Sequence, residues 1–183
     1  MKCYLETERL ILRPFEIEDA QAMYEGWASD PEVTKYLTWN THKDIEDTKF
    51  ILNKWIEEYE KPERLNFAIE EKESHKLIGG IDVVGYLDGV NGPPVIGYNL
   101  SKEYWTKGYM TEACKCLLEY LFEKGYEKVK IDAFKENRAS QRVIEKCGGI
   151  YQGREMEYLP LKDKNVEKNC YLVYKDRKDV ETE

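Results

Sequence analysis

No run of 18 apolar residues occurs in this 183-residue chain, so nothing in it reads as a membrane-spanning helix. The opening Met1-Lys2-Cys3-Tyr4-Leu5-Glu6 has no apolar stretch and does not read as a secretory signal. Histidine is nearly missing, with only His42 and His75. The five cysteines, Cys3, Cys114, Cys116, Cys147 and Cys170, are odd in number and scattered. That argues against a disulfide framework and for a reducing cytoplasm. Cys114 and Cys116 lie two apart on a predicted helix and point to different faces, so no metal site is expected. Positive charge is in deficit: 28 Lys and Arg stand against 36 Asp and Glu, a net charge of −8. This argues against a nucleic-acid binder working by bulk electrostatics and leaves a basic acceptor, such as a polyamine or a peptide amine, open. Neither G-x-x-x-x-G-K-[ST] nor G-x-G-x-x-G is present. Repeats, low-complexity stretches and linkers are also missing, so the expectation is one domain over residues 1–183, with a core of about 5–174 and a charged tail at 175–183.

Apolar residues make up 42% of the chain and charged residues 35%, enough for a packed core within a solvated surface. Fourteen tyrosines and four tryptophans suit both pockets and ordinary packing. Glu8–Pro14 reads as a short strand closed by proline. From Ile17 a helix carries Ile17, Ala20, Met23, Tyr24 and Trp27 on one face. Asp30-Pro31 begins a second short helix, with Asp as N-cap. Thr41-His42-Lys43-Asp44 has the spacing of an acidic capping box and opens a helix with Ile45, Ile51, Trp55, Ile56 and Tyr59, ending near Lys61-Pro62. Alternation at Leu65, Phe67 and Ile69, a polar turn at Glu73-Ser74-His75 and the run Leu77–Val84 predict an antiparallel hairpin.

A glycine- and proline-rich loop, Gly85–Pro94, precedes a strand at Val95–Leu100. A helix over Thr111–Lys124 buries Met110, Ala113, Cys114, Leu117, Leu118 and Leu121, with Gly125 just past its end. Lys128–Phe134 alternates as a strand. Asn137 opens a short helix with Ala139, Val143, Ile144 and Cys147 inward, stopped by Gly148-Gly149. Two strands, Ile150–Tyr158 and Val166–Tyr174, follow. The unit Val95–Phe134 is expected to be a right-handed parallel crossover. The fold class is therefore α+β: a mixed, mostly antiparallel sheet of six to seven strands with helices on both faces.

The loop Trp105-Thr106-Lys107-Gly108-Tyr109-Met110-Thr111 sits where the long helix begins. A helix N-terminus exposes backbone N–H groups without internal partners and carries the positive end of the dipole. An anion is stabilised there, Gly108 allows close approach, Lys107 adds charge and Thr111 a hydroxyl. Two readings stay open: a pyrophosphate cradle, or a plain turn whose glycine solves a backbone problem.

Three stretches together carry a resemblance over roughly Leu5 to Tyr174. They are Thr7-Glu8-Arg9-Leu10-Ile11-Leu12-Arg13-Pro14-Phe15; Ile96-Gly97-Tyr98-Asn99-Leu100 with Tyr104-Trp105-Thr106-Lys107-Gly108-Tyr109-Met110-Thr111-Glu112-Ala113; and Asn137-Arg138-Ala139-Ser140-Gln141-Arg142-Val143-Ile144-Glu145-Lys146-Cys147-Gly148. The chain resembles the GNAT N-acetyltransferase superfamily, in its branch like the RimJ/RimL ribosomal-protein N-terminal acetyltransferases. It departs from the pattern at Met110, where a small residue is usual, and at Gly149, where the branch commonly has an aromatic.

The resemblance implies direct transfer of an acetyl group from acetyl-CoA to an amine, without a covalent enzyme intermediate or a metal. Backbone groups near Asn99, Leu100 and Ser101 would pair with the pantetheine arm, and an N–H near Leu100 would polarise the thioester carbonyl. Lys107, Gly108, Tyr109, Met110 and Thr111 would hold the pyrophosphate, and Asn137 the arm or a water. Glu157, in Met156-Glu157-Tyr158-Leu159, would be the base, and Ser140 a proton donor to the leaving thiolate. Both residues also have ordinary structural readings, as an exposed strand acid and a first-turn helix serine. Phe15, Trp27, Tyr36 and Trp39 line the pocket or belong to the core. The acceptor would be a protein N-terminal amine, a polyamine or an aminoglycoside-like molecule, and the protein a monomer or homodimer. Met110 and Gly149 keep open a second reading, a non-catalytic acyl-CoA-binding module.

Overall fold

The computed structural model describes residues 3–61, 64–84 and 92–176. Eight strands form one sheet: β1 (Leu5–Glu6), β2 (Leu10–Arg13), β3 (Asn66–Glu71), β4 (Lys76–Val84), β5 (Val95–Leu100), β6 (Lys128–Phe134), β7 (Ile150–Leu159) and β8 (Lys164–Tyr174). Their order is β1-β2-β3-β4-β5-β6-β8-β7. Every neighbouring pair is antiparallel except β5 and β6, which are parallel as a crossover through a helix requires. The α+β class stands, with one strand more than expected. The addition is β1, which pairs Leu5 with Leu12 and is too short for its alternation to register.

Strand alternation sends apolar side chains to both faces of the sheet. On one face Leu10, Leu12, Phe67, Ile69, Ile81, Ile96, Val129 and Ile131 pack against Ala113, Cys114, Leu117 and Leu121 of α4 (Tyr109–Glu123) and Ile144 of α5 (Arg138–Lys146). On the other, Ala68 packs with Phe15, Met23, Trp27 and Leu52. These come from the segment after β2 (Phe15), α1 (Ala20–Met23), the π turn after it, and α3 (Ile45–Glu58). Arg13 locks this second layer, donating to both carboxylate oxygens of Asp19 at 2.8 and 2.9 Å and to Glu70 at 2.7 Å.

Several local expectations change. The helix expected from Ile17 is three pieces: a 3-10 turn at Ile17–Asp19, α1, and a π turn at Tyr24–Ala28. The wide π turn brings Gly26 so close to Ser101 that a Cβ there would lie 2.7 Å from its Oγ. Ala20, Met23 and Trp27 are buried as expected, whereas Ile17 is exposed. In α2 (Pro31–Thr34), Asp30 is the N-cap and accepts from the Glu32 N–H. α3 is capped by Asp44, which accepts from Glu46 and Asp47, and not by Thr41. Thr41 Oγ1 instead pairs with Thr34 Oγ1 at 2.6 Å. The residues α3 buries are Thr48 and Leu52, between the apolar positions expected to do so.

The long helix starts at Tyr109, two residues before Thr111. In α5 the buried residues are Ser140, Gln141 and Ile144, while Ala139 is exposed. Gln141 sets this phase by donating to the Phe134 and Lys135 carbonyls. Residues 85–91 of the expected loop, Pro62 at the expected end of α3, and residues 177–183 of the expected tail lie outside the described residues.

Candidate active site: a gap in the sheet beside a helix N-terminus

β5 and β6 pair only at Val95 with Lys130 and Ile96 with Ile131. Beyond Ile96 the two strands have no further paired residues. The backbone phase of β5 follows from two bonds: Ser101 N–H donates to Ile78 O in β4, and Lys130 N–H of β6 donates to Pro94 O. Strand alternation then turns the backbone groups of Asn99 and Ser101 toward β4, and those of Tyr98 and Leu100 toward the opening. The Leu100 carbonyl is taken by the Trp105 indole N–H at 2.8 Å, while the Leu100 N–H faces the gap. A strand edge left open in this way can accept an extended ligand as an added strand.

The gap runs toward the start of α4. Gly108 caps that helix at φ 84°, a left-handed conformation that favours glycine. Tyr109, Met110 and Thr111 are the first helical residues, and their N–H groups have no intrahelical acceptor. Two cations stand beside them. Lys107 Nζ lies 5.4 Å from the Tyr104 ring centroid. The Arg9 guanidinium stacks 4.3 Å from the Tyr109 ring and donates to the Lys107 carbonyl at 3.1 Å. Glu112 holds Arg9 in place, accepting from its Nε at 2.7 Å and its backbone N–H at 2.9 Å. The Met110 side chain is buried in the core, leaving its backbone at the helix start.

On the α5 side of the sheet, Asn137 caps α5 by accepting from the Ser140 N–H at 3.1 Å. The buried Ser140 Oγ lies 2.8 Å from the Tyr98 hydroxyl. Burial holds the Tyr98 phenol protonated, well above its ordinary range. Tyr98 is the partner that reading along the chain missed, because the pairing joins residues far apart in sequence. Gly149 is also explained: a Cβ there would lie 2.4 Å from Ile144 Cγ2 and 2.9 Å from the Ile144 carbonyl.

On the opposite face, Glu157 is ion-paired with Lys168, which in turn lies 6.0 Å from the Phe134 ring. Tyr36 meets Phe134 edge-on at 6.0 Å. Trp39 stacks on His42 at 4.9 Å, whereas Phe15 and Trp27 belong to the core. Lys162 Nζ donates to the Thr34 carbonyl at 2.7 Å, and Asn40 donates to the Leu161 carbonyl at 2.5 Å, so the β7–β8 connection docks on α2 and the segment after it. Asp132, Glu155 and Cys170 bring three possible metal-ligating atoms within 4.8 Å of one another, and Lys130 meets their charge at 2.9 Å from Glu155 and 3.4 Å from Asp132.

The acetyltransferase (GNAT) domain family matches residues 9–150. The chain belongs to the GNAT acetyltransferase family. It is 29% identical over 174 residues to the uncharacterized N-acetyltransferase p20 of Bacillus licheniformis, covering 93% of this chain and 96% of that one. Among solved structures, a GNAT-family acetyltransferase from Bacillus anthracis superposes with a TM-score of 0.80 at 28% identity, covering 94% of this chain and 98% of the other. RimL, the ribosomal L7/L12 α-N-protein acetyltransferase, shares the fold with a TM-score of 0.81 at 18% identity, covering 95% of each chain. As a GNAT acetyltransferase, the protein uses acetyl-CoA as acetyl donor.

The residues present fit that donor. Peptide-like groups of the arm have the open β5 edge to pair with, and an anion has the α4 N-terminus with Lys107 and Arg9. The Asn99 Oδ1 atom is buried and finds no hydrogen-bond partner in the protein.

Proposed function

We propose that this GNAT acetyltransferase acetylates a primary amine, carried by a protein N-terminus or by a small amine such as a polyamine or an aminoglycoside-like molecule, by direct attack within the β5–β6 gap. The observation that carries this reading is the parting of β5 from β6 directly before the α4 N-terminus. An N–H turned into the gap near Leu100, that of Leu100 itself or of Tyr98, is the donor proposed for the thioester oxygen. The backbone of Lys107 to Thr111, with the Lys107 charge, holds the pyrophosphate; Asn137 meets the arm, and Asn99 and Ser101 support the β4 side. Ser140, paired with Tyr98, supplies a hydroxyl hydrogen bond to the departing thiolate. Met110 and Gly149, the two departures that kept open a non-catalytic binding module, each have a packing role: Met110 is buried in the core, and a Cβ at Gly149 would meet Ile144.

Glu157 is the proposed acceptor-side carboxylate. Its ion pair with Lys168 and its considerable exposure suit it to drawing in a cationic amine, since taking a proton would first require that pair to open. Melting the protein with and without acetyl-CoA tests the donor site. Thiol release with a panel of peptide N-termini, polyamines and aminoglycosides tests the acceptor. Turnover with peptides alone selects the N-terminal reading, and turnover with small amines alone the other. Acetyl-CoA binding without thiol release from any primary amine would end the proposal.

A further inference from the structure

Asp82 of β4 stands directly opposite Gly97 of β5, the first residue past the last β5–β6 pair. A Cβ on Gly97 would lie 3.0 Å from Asp82 Oδ1, so the carboxylate leans over the Gly97 backbone at the apex of the gap. Alternation puts Asp82, Gly97 and Asn99 on the α1 face of the sheet, and Tyr98 with Ser140 on the α5 face. Asn99 lies beside this position, and its Oδ1 is the buried acceptor without a protein partner. Asp82 is half-buried and keeps partial solvent contact.

We infer that Asp82 is the base of the reaction, taking a proton from the attacking amine at the apex of the gap. This rests on the reading of the gap as the acetyl-transfer site. Asp82 removes one N–H proton from the ammonium, directly or through one water. The freed nitrogen lone pair forms the C–N bond to the thioester carbon, the C–S bond breaks, and the nitrogen gives its second proton to solvent as the amide forms, while the thiolate is met by the Ser140–Tyr98 hydroxyls and protonated from solvent. Base and thiolate donor thus stand on opposite faces of one opening.

Burial pushes the Asp82 carboxyl up to about 7, opposed by the Arg64 charge. That is the range in which a general base works best at neutral pH. Among the described residues the groups around it are few. β3 contributes the neutral Asn66. Across the gap β6 carries Lys130 and Asp132 on the same face, paired with each other at 3.4 Å. α1 and the π turn carry one charged residue, the exposed Glu25, held by Gln21.

Two measurements on the full chain test this. The first is an aspartate 13C-carboxyl titration, with the Asp82 resonance assigned by its loss in Asp82→Asn. A midpoint near neutrality that moves when acetyl-CoA is added is the expected result. The second is turnover with the most active amine of the panel. Asp82→Asn should lose about 100-fold or more in kcat and lose the pH limb near neutrality. Its acetyl-CoA melting shift should stay intact, and Asp82→Glu should recover part of the rate. An Asp82 resonance titrating near 4 or indifferent to acetyl-CoA, or an Asp82→Asn enzyme with wild-type turnover, overturns the inference while leaving acetyl transfer untouched. Should no amine be acetylated, the functional reading falls, and the titration still decides whether Asp82 lies at the donor site.

Discussion

Gly108 carries two demands at once. Its φ of 84° excludes an ordinary side chain, and a Cβ there would stand 3.5 Å from Arg9 Nη2. Gly108→Val should therefore strain the cap and displace the cation beside it. Wild-type protein at about 100 times Kd of acetyl-CoA gains roughly 2.7 kcal/mol of stability. The variant should lose that melting shift, and an undiminished shift would remove the α4 N-terminus from the donor site. Ser140 and Tyr98 make a second residue-scale case. Ser140→Ala and Tyr98→Phe each remove one hydroxyl of a 2.8 Å pair. Each should lower kcat by about 100-fold if the pair serves the thiolate. Because the two act as one unit, the double variant should cost little more than either single one, which a double-mutant cycle measures.

At the scale of the element, α3 shows how a cap is chosen. Thr41 has the right spacing to a carboxylate, yet Asp44 takes the role because its backbone is extended and its side chain accepts from two first-turn N–H groups. Asp44→Ala should cost about 1 kcal/mol. In a chain of this length that lowers the melting midpoint by roughly 2–4 °C. kcat should not change, since the Asp44 side chain bonds within the first turn of α3. The same contest explains why some elements were legible and others not. Asp30 was readable as a cap because Pro31 marks the first helical position after it, and Asn137 because its side chain serves the first turn directly after it. The π turn at Tyr24–Ala28 was not readable, because its periodicity matches an ordinary helix and only the fit of Gly26 against Ser101 shows why the chain widens there.

For the whole molecule, Asp82 ties site and stability together. Its carboxyl is raised from 3.8 to about 7 in the folded protein. A raised acid binds its proton more tightly when folded, so the contribution to stability is complete below about 3.8 and is lost as pH rises through about 7. Asparagine does not titrate. The melting midpoint of Asp82→Asn relative to wild type should therefore rise between pH 4 and pH 8. A constant difference over that range would mean that Asp82 is not perturbed by folding. Asp82 itself was invisible along the chain: one acid in an apolar strand, significant only once β5 lies beside it and parts from β6.

The sequence alone determined the strands with clear alternation, the parallel crossover, the caps at Asn137 and Asp30, and the place of Lys107 and Gly108 at the start of α4. All of these rest on residues close in the chain, where periodicity and backbone chemistry act locally. Tertiary structure decided the rest: the two-residue β1, the pairing of Tyr98 with Ser140, Arg9 beside Lys107, Lys168 against Glu157, and Asp82 over Gly97. Each joins residues distant in sequence, and strand register, which no local pattern specifies to the residue, chooses which side chains meet.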